Sequence, residues 1–336
     1  MIELADGSQR VRKRSKGATA ERPWGPESLR REIRYLKTAS SRSTSTLPPL
    51  LASWDRRVAG AMDVGYEIPF YPDHRDCGTL ARAVALGQEE INRFQHELAD
   101  AVLERLHEPA PADPVREPLS RHMTGAVRQA FDGLVADPAY AALIEAGQIE
   151  LNGGRVLGSR AVFEKIVRET NMLAMIDDTP AVRLHGDLHL ENILWRPLAV
   201  TGAEPRLILI DVVSVAGVTF GLPLWDLVKY ESYATGELMA LRSERVEVAG
   251  LGEGTGRYRC RIRTEDPGLA PFLTLDWHAI FRAAFVQRHG VLDQRAYRFI
   301  HGYFNAAMAL NTTGAQRQGR LLRATEDFNA VLGEPG

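Results

Sequence analysis

The first 72 residues have the alternating and helical patterns of a small sheet with one helix. Asp6-Gly7 is a two-residue turn signal between two strand-like runs, and it predicts a β-hairpin. Leu29, Ile33 and Leu36 recur at the spacing of one helical face. The predicted elements of this part are strands at 1–4 and 9–15, a helix at 26–36, strands at 50–54 and 60–65, and a strand edge and hinge at 66–72.

From Thr79 onward the pattern is mainly helical. A helix over 88–107 has one apolar face, formed by Ile91, Phe94, Leu98, Val102 and Leu106. Four prolines between 109 and 118 predict an irregular connection. The further predicted elements are two or three helices up to Asp177 with an Asn152-Gly153 turn between them, a helix over 224–241, and closing helices over 273–287, 292–310 and 317–332.

Composition and charge narrow the class of protein. The chain has 336 residues, 45% hydrophobic and 25% charged, as is ordinary for a soluble globular protein. A net charge of −2 gives no basic stripe, so we expect no nucleic-acid partner. No apolar run reaches the ~20 residues that span a bilayer, and the polar, basic N-terminus has no secretory signal pattern. Cys77 and Cys260 are the only cysteines of the sequence and lie far apart in it. This argues against a disulfide framework and favours a reducing cytoplasm.

A polar loop between two apolar runs carries the densest candidate chemistry. Residues 182–194 place His-Gly-Asp-Leu-His-Leu-Glu-Asn between Val-Arg-Leu and Ile-Leu, and a further apolar run ends in Asp211. Asp187, Asn192 and Asp211 therefore present a carboxylate, an amide and a second carboxylate. Oxygen ligands of this kind suit Mg²⁺, which is held by few carboxylates together with substrate phosphates.

These residues resemble the aminoglycoside phosphotransferase / choline kinase family. Three ordered pieces carry the resemblance: HGDLHLENIL at 185–194, the apolar strand that ends in Asp211, and GLPLWDL at 221–227. The resemblance implies an α+β, protein-kinase-like, two-lobed fold, with a small antiparallel-sheet N-lobe and a larger, mainly helical C-lobe. We place the nucleotide-binding lobe at 1–72 and the catalytic and substrate-binding lobe at 73–336.

The resemblance also implies roles for the loop residues. Asp187 is the expected catalytic base for an acceptor hydroxyl, and Asn192 and Asp211 are the expected ligands of a Mg²⁺ ion that bridges the β- and γ-phosphates. His185 is expected to pack and bond within the loop, and Asp226 to bond the loop backbone. Two alternatives stay open here: a metal pair formed by His185 with His189, for which zinc would need a third ligand, and Asp226 as a helix N-cap.

Lysines are scarce, which makes each one easier to judge: Lys13, Lys16, Lys37, Lys165 and Lys229. Side chains alternate along a strand, so Lys13 and the apolar Val11 lie on the same face. In this respect Lys13 is similar to the phosphate-binding lysine on the third strand of a kinase. Glu32 lies beside the apolar face of the helix at 26–36, where it is placed to form the Lys–Glu ion pair of kinases. The alternatives are Lys16 as the nucleotide lysine, a solvated basic edge at 12–16, and Glu32 as one acid of a charged helix.

The chain departs from a kinase small lobe at its start. Such a lobe begins with two strands joined by a glycine-rich loop, whereas this sequence begins at what corresponds to the second strand. The expected N-lobe therefore lacks its first strand and glycine-rich loop, unless these are encoded upstream. A glycine-rich segment at 250–256 lies between strand-like runs at 246–248 and 257–262. We interpret it as an ordinary hairpin, because glycine spacing alone is weak evidence for a phosphate-binding loop.

The implied activity is transfer of the γ-phosphate of ATP, or GTP, to a hydroxyl of an aminoglycoside, sugar, amino alcohol or similar metabolite. Acids near the cleft would suit a cationic acceptor, and the candidates by position are Glu265, Asp266 and Asp276. One alternative is a metallophosphoesterase, because residues 186–189 match a Gly-Asp-x-His box, but the further boxes of that class are not found. The other is a non-catalytic, pseudokinase-like nucleotide-binding or regulatory module. Nothing in the sequence indicates an oligomeric state.

Overall fold

The computed structural model describes residues 2–3, 9–15, 25–39, 43–58, 60–83, 86–111, 118–197, 206–213 and 218–333. The predicted Asp6-Gly7 turn, the substitute lysine Lys16 and the proline Pro114 lie outside these residues. The chain divides into two compact units, of which the first comprises Met1–Ala110, Ala181–Tyr230 and Leu275–His289. The second comprises Pro111–Pro180, Glu231–Thr274 and Gly290–Gly336. The lobe boundary at residue 72 stays a prediction.

Strands and helices both occur along the described chain, and all the strand pairs except that of β6 with β13 are antiparallel, so the fold is α+β as predicted. The strands are β1 (Ile2–Glu3), β2 (Gln9–Arg14), β3 (Ala52–Val58), β4 (Ala61–Pro69), β5 (Arg75–Asp76), β6 (Gln148–Leu151), β7 (Gly154–Leu157), β8 (Val182–Arg183), β9 (Ile193–Trp195), β10 (Leu207–Leu209), β11 (Phe220–Gly221), β12 (Val246–Ala249) and β13 (Arg257–Ile262).

The α-helices are α1 (Pro26–Thr38), α2 (Cys77–Ala83), α3 (Gln88–Ala99), α4 (Leu119–Leu134), α5 (Pro138–Ile144), α6 (Ser159–Glu169), α7 (Met172–Asp178), α8 (Leu224–Ala234), α9 (Glu237–Arg242), α10 (Ala270–Leu273), α11 (Ala279–His289), α12 (Gln294–Ala309) and α13 (Gly314–Val331). Short 3₁₀ turns cover Ser43–Ser45 and Leu190–Asn192, and a π-helix, Asp100–Leu106, continues α3. No helix among the described residues is long and apolar enough to cross a membrane.

The N-terminal sheet and α1 form the part of the first unit that carries Lys13. The four strands pair antiparallel in the order β1-β2-β4-β3. One face of the sheet packs on α1 through a core of Leu29, Ile33, Val64, Tyr66 and Ile68, with Val11 against it. Because side chains alternate along β2, Lys13 lies on the same face as Val11 and points toward α1. The opposite face carries arginines, such as Arg12, paired with Glu67.

Two small sheets of the first unit position the loop at 184–192. β9 pairs antiparallel with both β10 and β5, and β8 pairs with β11. Strands β9 and β10 are almost wholly buried, as their apolar sequence predicts. Helix α3 packs beside them through Phe94, which contacts Trp195 and Trp277. Cys77 and Cys260 are both buried and unbridged. The cytoplasmic location stays a prediction.

The second unit is mainly helical. α12 and α13 pack along each other and against α4 and α6, around a buried aromatic core of Phe131, Phe163, Phe299 and Phe328. A four-stranded sheet in the order β12-β13-β6-β7 completes this unit, with β6 and β13 parallel. The glycine-rich segment at 250–256 connects β12 to β13, so it is the hairpin that its pattern predicted.

Several elements differ from their predicted form. Four helices, α4 to α7, follow the proline-rich connection, rather than the two or three expected up to Asp177. The helix expected over 224–241 is divided into α8 and α9, because Gly236 adopts a left-handed φ of 80° between them. The Asn152-Gly153 turn joins two strands rather than two helices, and its φ values of 52° and 85° are those of a type I′ hairpin turn. The helix expected over 273–287 is α11, which begins at Ala279 where the Asp276 carboxylate accepts the backbone N–H of that residue.

Candidate active site

The catalytic-loop candidates lie between β8 and β9, on a backbone held in an unusual conformation. Gly186 has a φ of 84°, and a Cβ on it would lie 3.2 Å from the Cα of Val213 and 3.2 Å from the carbonyl oxygen of Val218. Only glycine meets both conditions without strain. The backbone N–H of Val213 in turn donates to the carbonyl of His185 at 2.7 Å. The loop is therefore packed directly against the segment that follows β10.

Asp226 anchors this loop from α8. Its carboxylate is fully buried and accepts the backbone N–H groups of His185 at 2.8 Å and of Gly186 at 2.9 Å. Trp225 adds a hydrogen bond from its indole N–H to the carbonyl of Gly186 at 3.0 Å. The bonded N–H groups belong to the loop rather than to the first turn of α8, so the N-cap alternative for Asp226 is not what the geometry shows.

Asp187 and Asn192 contact each other within the loop. The side-chain amide of Asn192 donates to the backbone carbonyl of Asp187 at 2.9 Å and lies 3.3 Å from its Oδ2. Because the amide nitrogen is used in this way, the amide oxygen of Asn192 faces away from the Asp187 carbonyl. Asp187 is 5% exposed and Asn192 7% exposed, so both sit in a nearly dry environment.

Asp211 follows β10 and completes the group predicted from the sequence. Strand pairing continues to its neighbour, since the N–H of Ile210 donates to the carbonyl of Asn192 at 2.9 Å. Asp211 itself has a φ of 56°, a left-handed conformation that is uncommon outside glycine and that turns the chain sharply after the strand. Its side chain is 42% exposed. The structure therefore places Asp211 directly after a residue that hydrogen-bonds the backbone of Asn192, whose side chain contacts Asp187.

Lys13 reaches this group from the N-terminal sheet. Its ammonium lies 2.8 Å from Oε2 of Glu32 and 3.0 Å from Oδ1 of Asp211. Burial lowers the pKa of Lys13, but the carboxylates of Asp211 and Glu32 outweigh burial and hold the pKa above its ordinary value. The ammonium therefore stays charged. Lys13 therefore bridges Glu32 of α1 and Asp211 after β10 through two ion pairs.

Glu32 is buried on the inner face of α1. Burial raises the pKa of Glu32, while the neighbouring Lys13 ammonium and the Tyr66 hydroxyl oppose that rise in part. Tyr66 donates its hydroxyl to Oε2 at 2.7 Å. A second tyrosine of the unit, Tyr35 on α1, donates to the carbonyl of Leu184 at 2.8 Å. Hydrogen bonds therefore connect α1 both to the strand that carries Lys13 and to the start of the loop at 184–192.

Two contributors were missed by the sequence reasoning. Lys229 on α8 places its ammonium 3.0 Å from Oδ1 of Asp187. His107 hydrogen-bonds Oδ2 of Asp226 through its Nε2 at 3.2 Å. The helical spacing of Lys229 three residues after Asp226 was a usable signal, because residues at i and i+3 share a face. No sequence signal linked His107 to the site, since 119 residues separate it from Asp226.

The histidine metal pair finds no support among the described residues, where no group of three His, Cys, Asp or Glu side chains could hold a metal ion. Burial lowers the pKa of His185, so its imidazole is neutral near pH 7. Its Nδ1 accepts the backbone N–H of Asp187 at 3.3 Å, which is bonding within the loop. His189 lies beside Oδ2 of Asp187 at 3.7 Å.

The oxygen donors of Asn192 and Asp211 fit Mg²⁺. Magnesium takes few protein ligands, usually a carboxylate and other oxygens, and completes its shell with water and phosphates. The amide of Asn192 already uses its nitrogen on the loop, and Asp211 is the partly exposed acid of the group. A site with one exposed carboxylate and one amide oxygen suits a metal that arrives with a nucleotide.

The acids suggested for a cationic acceptor each have a local partner. In the second unit, Glu265 lies 3.4 Å from Arg261, and Asp266 lies 3.3 Å from Arg245. In the first unit, Asp276 caps the start of α11. None of the three acids is marked by its own surroundings as a ligand for an acceptor.

These features define the class of fold. A strand lysine paired with a helix glutamate, a loop with an acid and an asparagine five residues apart, and a second acid after the next strand are the arrangement of protein kinases. The protein has the protein-kinase-like fold that its sequence predicted.

Solved structures that are similar to this chain include two of glucosamine kinase and one of an aminoglycoside phosphotransferase. The structure is similar to glucosamine kinase, with 15% identity over 97% of this chain and 73% of that one and a TM-score of 0.44. A glucosamine kinase structure in complex with glucosamine, ADP and inorganic phosphate gives 14% identity, coverage of 94% and 72%, and a TM-score of 0.44. The aminoglycoside phosphotransferase APH(3'')-Id from Streptomyces rimosus ATCC10970, in complex with ADP and streptomycin, gives 19% identity, coverage of 91% and 88%, and a TM-score of 0.45. No family model and no curated protein sequence matches the chain.

Proposed function

We propose that this protein is a small-molecule kinase that transfers the γ-phosphate of ATP, or GTP, to a hydroxyl group. The observation that carries the proposal is the contact of one ammonium, that of Lys13, with both Glu32 and Asp211. A kinase needs its phosphate-binding lysine and its metal-binding acid side by side, because the nucleotide's phosphates lie between them. Asp187 and Asn192 on the neighbouring loop supply the remaining parts.

In this proposal Asp187 is the base. Its carboxylate accepts the proton of the acceptor hydroxyl as the new oxygen–phosphorus bond forms, and the bond from the γ-phosphorus to the β-phosphate oxygen breaks with its electron pair left on the nucleoside diphosphate. Base catalysis of this kind contributes roughly 10²–10⁴-fold, and positioning and charge neutralisation supply much of the rest. Asp226 keeps the base in place through the backbone of the loop.

Asn192 and Asp211 are the residues that would hold Mg²⁺. The ion supplies positive charge to the phosphate oxygens when it is bound. Lys13 binds the α- and β-phosphates, and Glu32 fixes the direction of that lysine. The ammonium of Lys13 also contacts Asp211, so the phosphates of a bound nucleotide would compete with this carboxylate for the lysine.

The acceptor is proposed as a sugar, an aminoglycoside, an amino alcohol or a similar small metabolite. The solved structures that resemble this one include a kinase with glucosamine bound and a phosphotransferase with streptomycin bound. Those two compounds therefore belong in the first panel of acceptors, together with neutral sugars and amino alcohols.

The test combines nucleotide binding and phosphate transfer on the full chain. We expect ATP or GTP with Mg²⁺ to raise the melting temperature, and labelled phosphate to appear on a member of the panel. Asp187→Asn is expected to keep the thermal shift and to lower kcat by about 10²–10⁴-fold, because it removes the base and little of the binding surface. Asp211→Asn is expected to lose the magnesium-dependent part of the shift.

Asp132→Asn is the matched control, since Asp132 is an exposed acid on α4 whose side chain is 68% exposed. It is expected to leave both readouts unchanged. Nucleotide binding without transfer to any acceptor or to water would favour the pseudokinase-like module instead. A chain that binds neither nucleotide in the presence of Mg²⁺ would contradict the kinase proposal.

A further inference from the structure

Lys229 is a buried lysine whose ammonium touches the proposed base. Its Nζ lies 3.0 Å from Oδ1 of Asp187, and the two side chains are 9% and 7% exposed. A lysine is almost never buried to this degree unless it is paired. The fold therefore holds the ammonium of Lys229 against the carboxylate of Asp187, unlike an ion pair of two mobile side chains at the surface.

α8 places this cation with the same face that anchors the loop. Asp226 and Lys229 are three residues apart and so point in one direction from the helix. Asp226 bonds the backbone N–H groups of His185 and Gly186, while Lys229 meets the side chain of the next residue, Asp187. Any movement of the loop relative to α8 would disturb both contacts together.

Charge explains why a kinase site needs such a lysine. A base that accepts the acceptor's proton has to lie close to the γ-phosphate, and two anions at that distance repel each other strongly in a dry site. Asn192, beside the other carboxylate oxygen of Asp187, is neutral. His189, at 3.7 Å, carries charge only when protonated. Lys229 brings an ammonium group to this position, at the oxygen opposite the amide.

The lysine also has the reach to contact the phosphate. A hydroxyl bonded to Asp187 lies ~2.7 Å from the carboxylate, and the phosphorus that it attacks lies next to that hydroxyl. An ammonium on a flexible four-carbon stem, with three N–H groups, can keep one bond to the carboxylate and turn another toward a phosphate oxygen. We propose that Lys229 is a catalytic residue that contacts a non-bridging oxygen of the γ-phosphoryl group during its transfer. This proposal rests on the proposed kinase function.

The lysine keeps its protons throughout the step. The acceptor oxygen forms its bond to phosphorus, its proton passes to Asp187, and the β-phosphate oxygen departs with the electron pair of the broken bond. Lys229 stabilises the charge on the transferred group through hydrogen bonds that are stronger in the transition state than in the resting state. Its role is electrostatic.

The experiment replaces Lys229 and substitutes sulfur for one γ-phosphate oxygen. Lys229→Met keeps most of the stem and removes the charge, and Lys229→Arg keeps the charge. Lys165→Met is the control, because Lys165 is an exposed lysine of α6 that is 3.9 Å from Glu169. For each variant the readouts are kcat with the nucleotide and acceptor that the wild type uses, kcat with the γ-thio analogue of that nucleotide, and the nucleotide-dependent thermal shift.

We expect Lys229→Met to lower kcat by about 10²–10³-fold while the thermal shift is retained, as for the loss of one donor to a developing charge. We also expect the ratio of kcat with the ordinary nucleotide to kcat with the thio analogue to fall, because the contact that senses the sulfur is gone. Lys165→Met should match the wild type in every readout.

Two results would overturn the inference and leave the kinase proposal intact. One is a Lys229→Met variant within about threefold of the wild-type kcat. The other is a lower kcat with an unchanged thio ratio, which would make Lys229 a positioning residue for Asp187. If Lys229→Met does not fold, Lys229→Gln, which also removes the charge, takes its place, and an unchanged thio ratio in that variant counts against the contact. A wild-type protein that transfers phosphate to no acceptor and to no water would instead reject the proposed function itself.

Discussion

The carboxylate of Asp226 accepts the backbone N–H of Gly186 at 2.9 Å, although 40 residues separate them in the chain. A second oxygen of the same carboxylate accepts the N–H of His185, and the group is fully buried. A single side chain therefore satisfies two backbone donors of the loop. The orientation of the loop at 184–192 therefore depends on a residue of α8.

Removing the Asp226 carboxylate should destabilise the protein and lower its activity. Asp226→Ala leaves two buried N–H groups without that partner, and each such group costs about 1–3 kcal/mol. We expect a loss of about 3 kcal/mol in the free energy of unfolding, measured by urea denaturation. Asp132→Ala, which removes an exposed acid of α4, is the control and should change little. Equal stability of the two variants would contradict the anchoring role.

The Lys13–Glu32 pair should behave as one coupled element. Lys13→Met leaves Glu32 buried without its cation, and breaking a buried ion pair from one side costs about 3–5 kcal/mol. Part of that cost should return in the double variant Lys13→Met/Glu32→Gln, because the uncompensated charge is then also gone. Urea denaturation of the two single variants and the double variant gives the coupling energy.

Nucleotide binding supplies the second readout for this pair. We expect Lys13→Met, alone or with Glu32→Gln, to lose most of the thermal shift given by nucleotide with Mg²⁺, because the ammonium that would contact the phosphates has been removed. A double variant that regains stability but not nucleotide binding would separate the structural role of the pair from its binding role. Additive stability changes would show that the two residues do not interact.

Gly186 offers a test of loop packing with a matched control. Gly186→Ala combines a left-handed φ of 84° with a Cβ placed 3.2 Å from Val213 and Val218. Gly153 has nearly the same φ, 85°, but nothing lies within 4 Å of its Cβ position. The backbone cost, about 1–2 kcal/mol for a left-handed residue, is common to both substitutions. We expect Gly186→Ala to be the more destabilising and to lower kcat, whereas Gly153→Ala should keep activity. Equal losses of stability would mean that the loop can move away from Val213.

The second unit contains a buried imidazole between two acids, and this arrangement predicts a pH dependence of stability. His301 lies 2.6 Å from Asp327 through Nδ1 and 3.1 Å from Glu237 through Nε2. Burial lowers the pKa of His301, but Asp327 and Glu237 outweigh burial and raise it to about 10. Because this value exceeds the ordinary pKa of 6.5, the stabilisation is fully present below pH 6.5 and is lost as the pH rises through about 10.

We therefore expect the melting temperature to fall between pH 7 and about pH 10 in the wild type, and to fall less in His301→Gln, which has no proton to lose. The amide keeps some hydrogen bonding while the titratable group is removed, so the difference between the two pH profiles isolates His301. Parallel profiles for the two proteins would show that His301 does not carry the raised pKa. Thermal denaturation at fixed ionic strength is the measurement.

Local sequence was sufficient for much of the fold. α1 begins at Pro26 as expected, because proline at the first turn and apolar residues at helical spacing are both local signals. The hairpin of β12 and β13 was also readable from its strand-like runs and glycines. The predicted helix boundaries were wrong where the backbone conformation depends on packing against neighbouring elements. Gly236 divides one apolar stretch into α8 and α9, whereas glycine residues are tolerated inside other helices.

The same distinction between local sequence and tertiary packing applies to the residues of the candidate site. The amino-acid sequence by itself determined the identity of the acids and the amide, since the order His-Gly-Asp, Asn and strand-end Asp211 is a chemical pattern that local reading can find. Only the tertiary structure decided that Lys13 meets Asp211 across 198 residues, and that Lys229 lies against Asp187. The reason is physical: spacing along a strand or helix sets the face on which a side chain lies, whereas the packing of distant elements sets what that face meets.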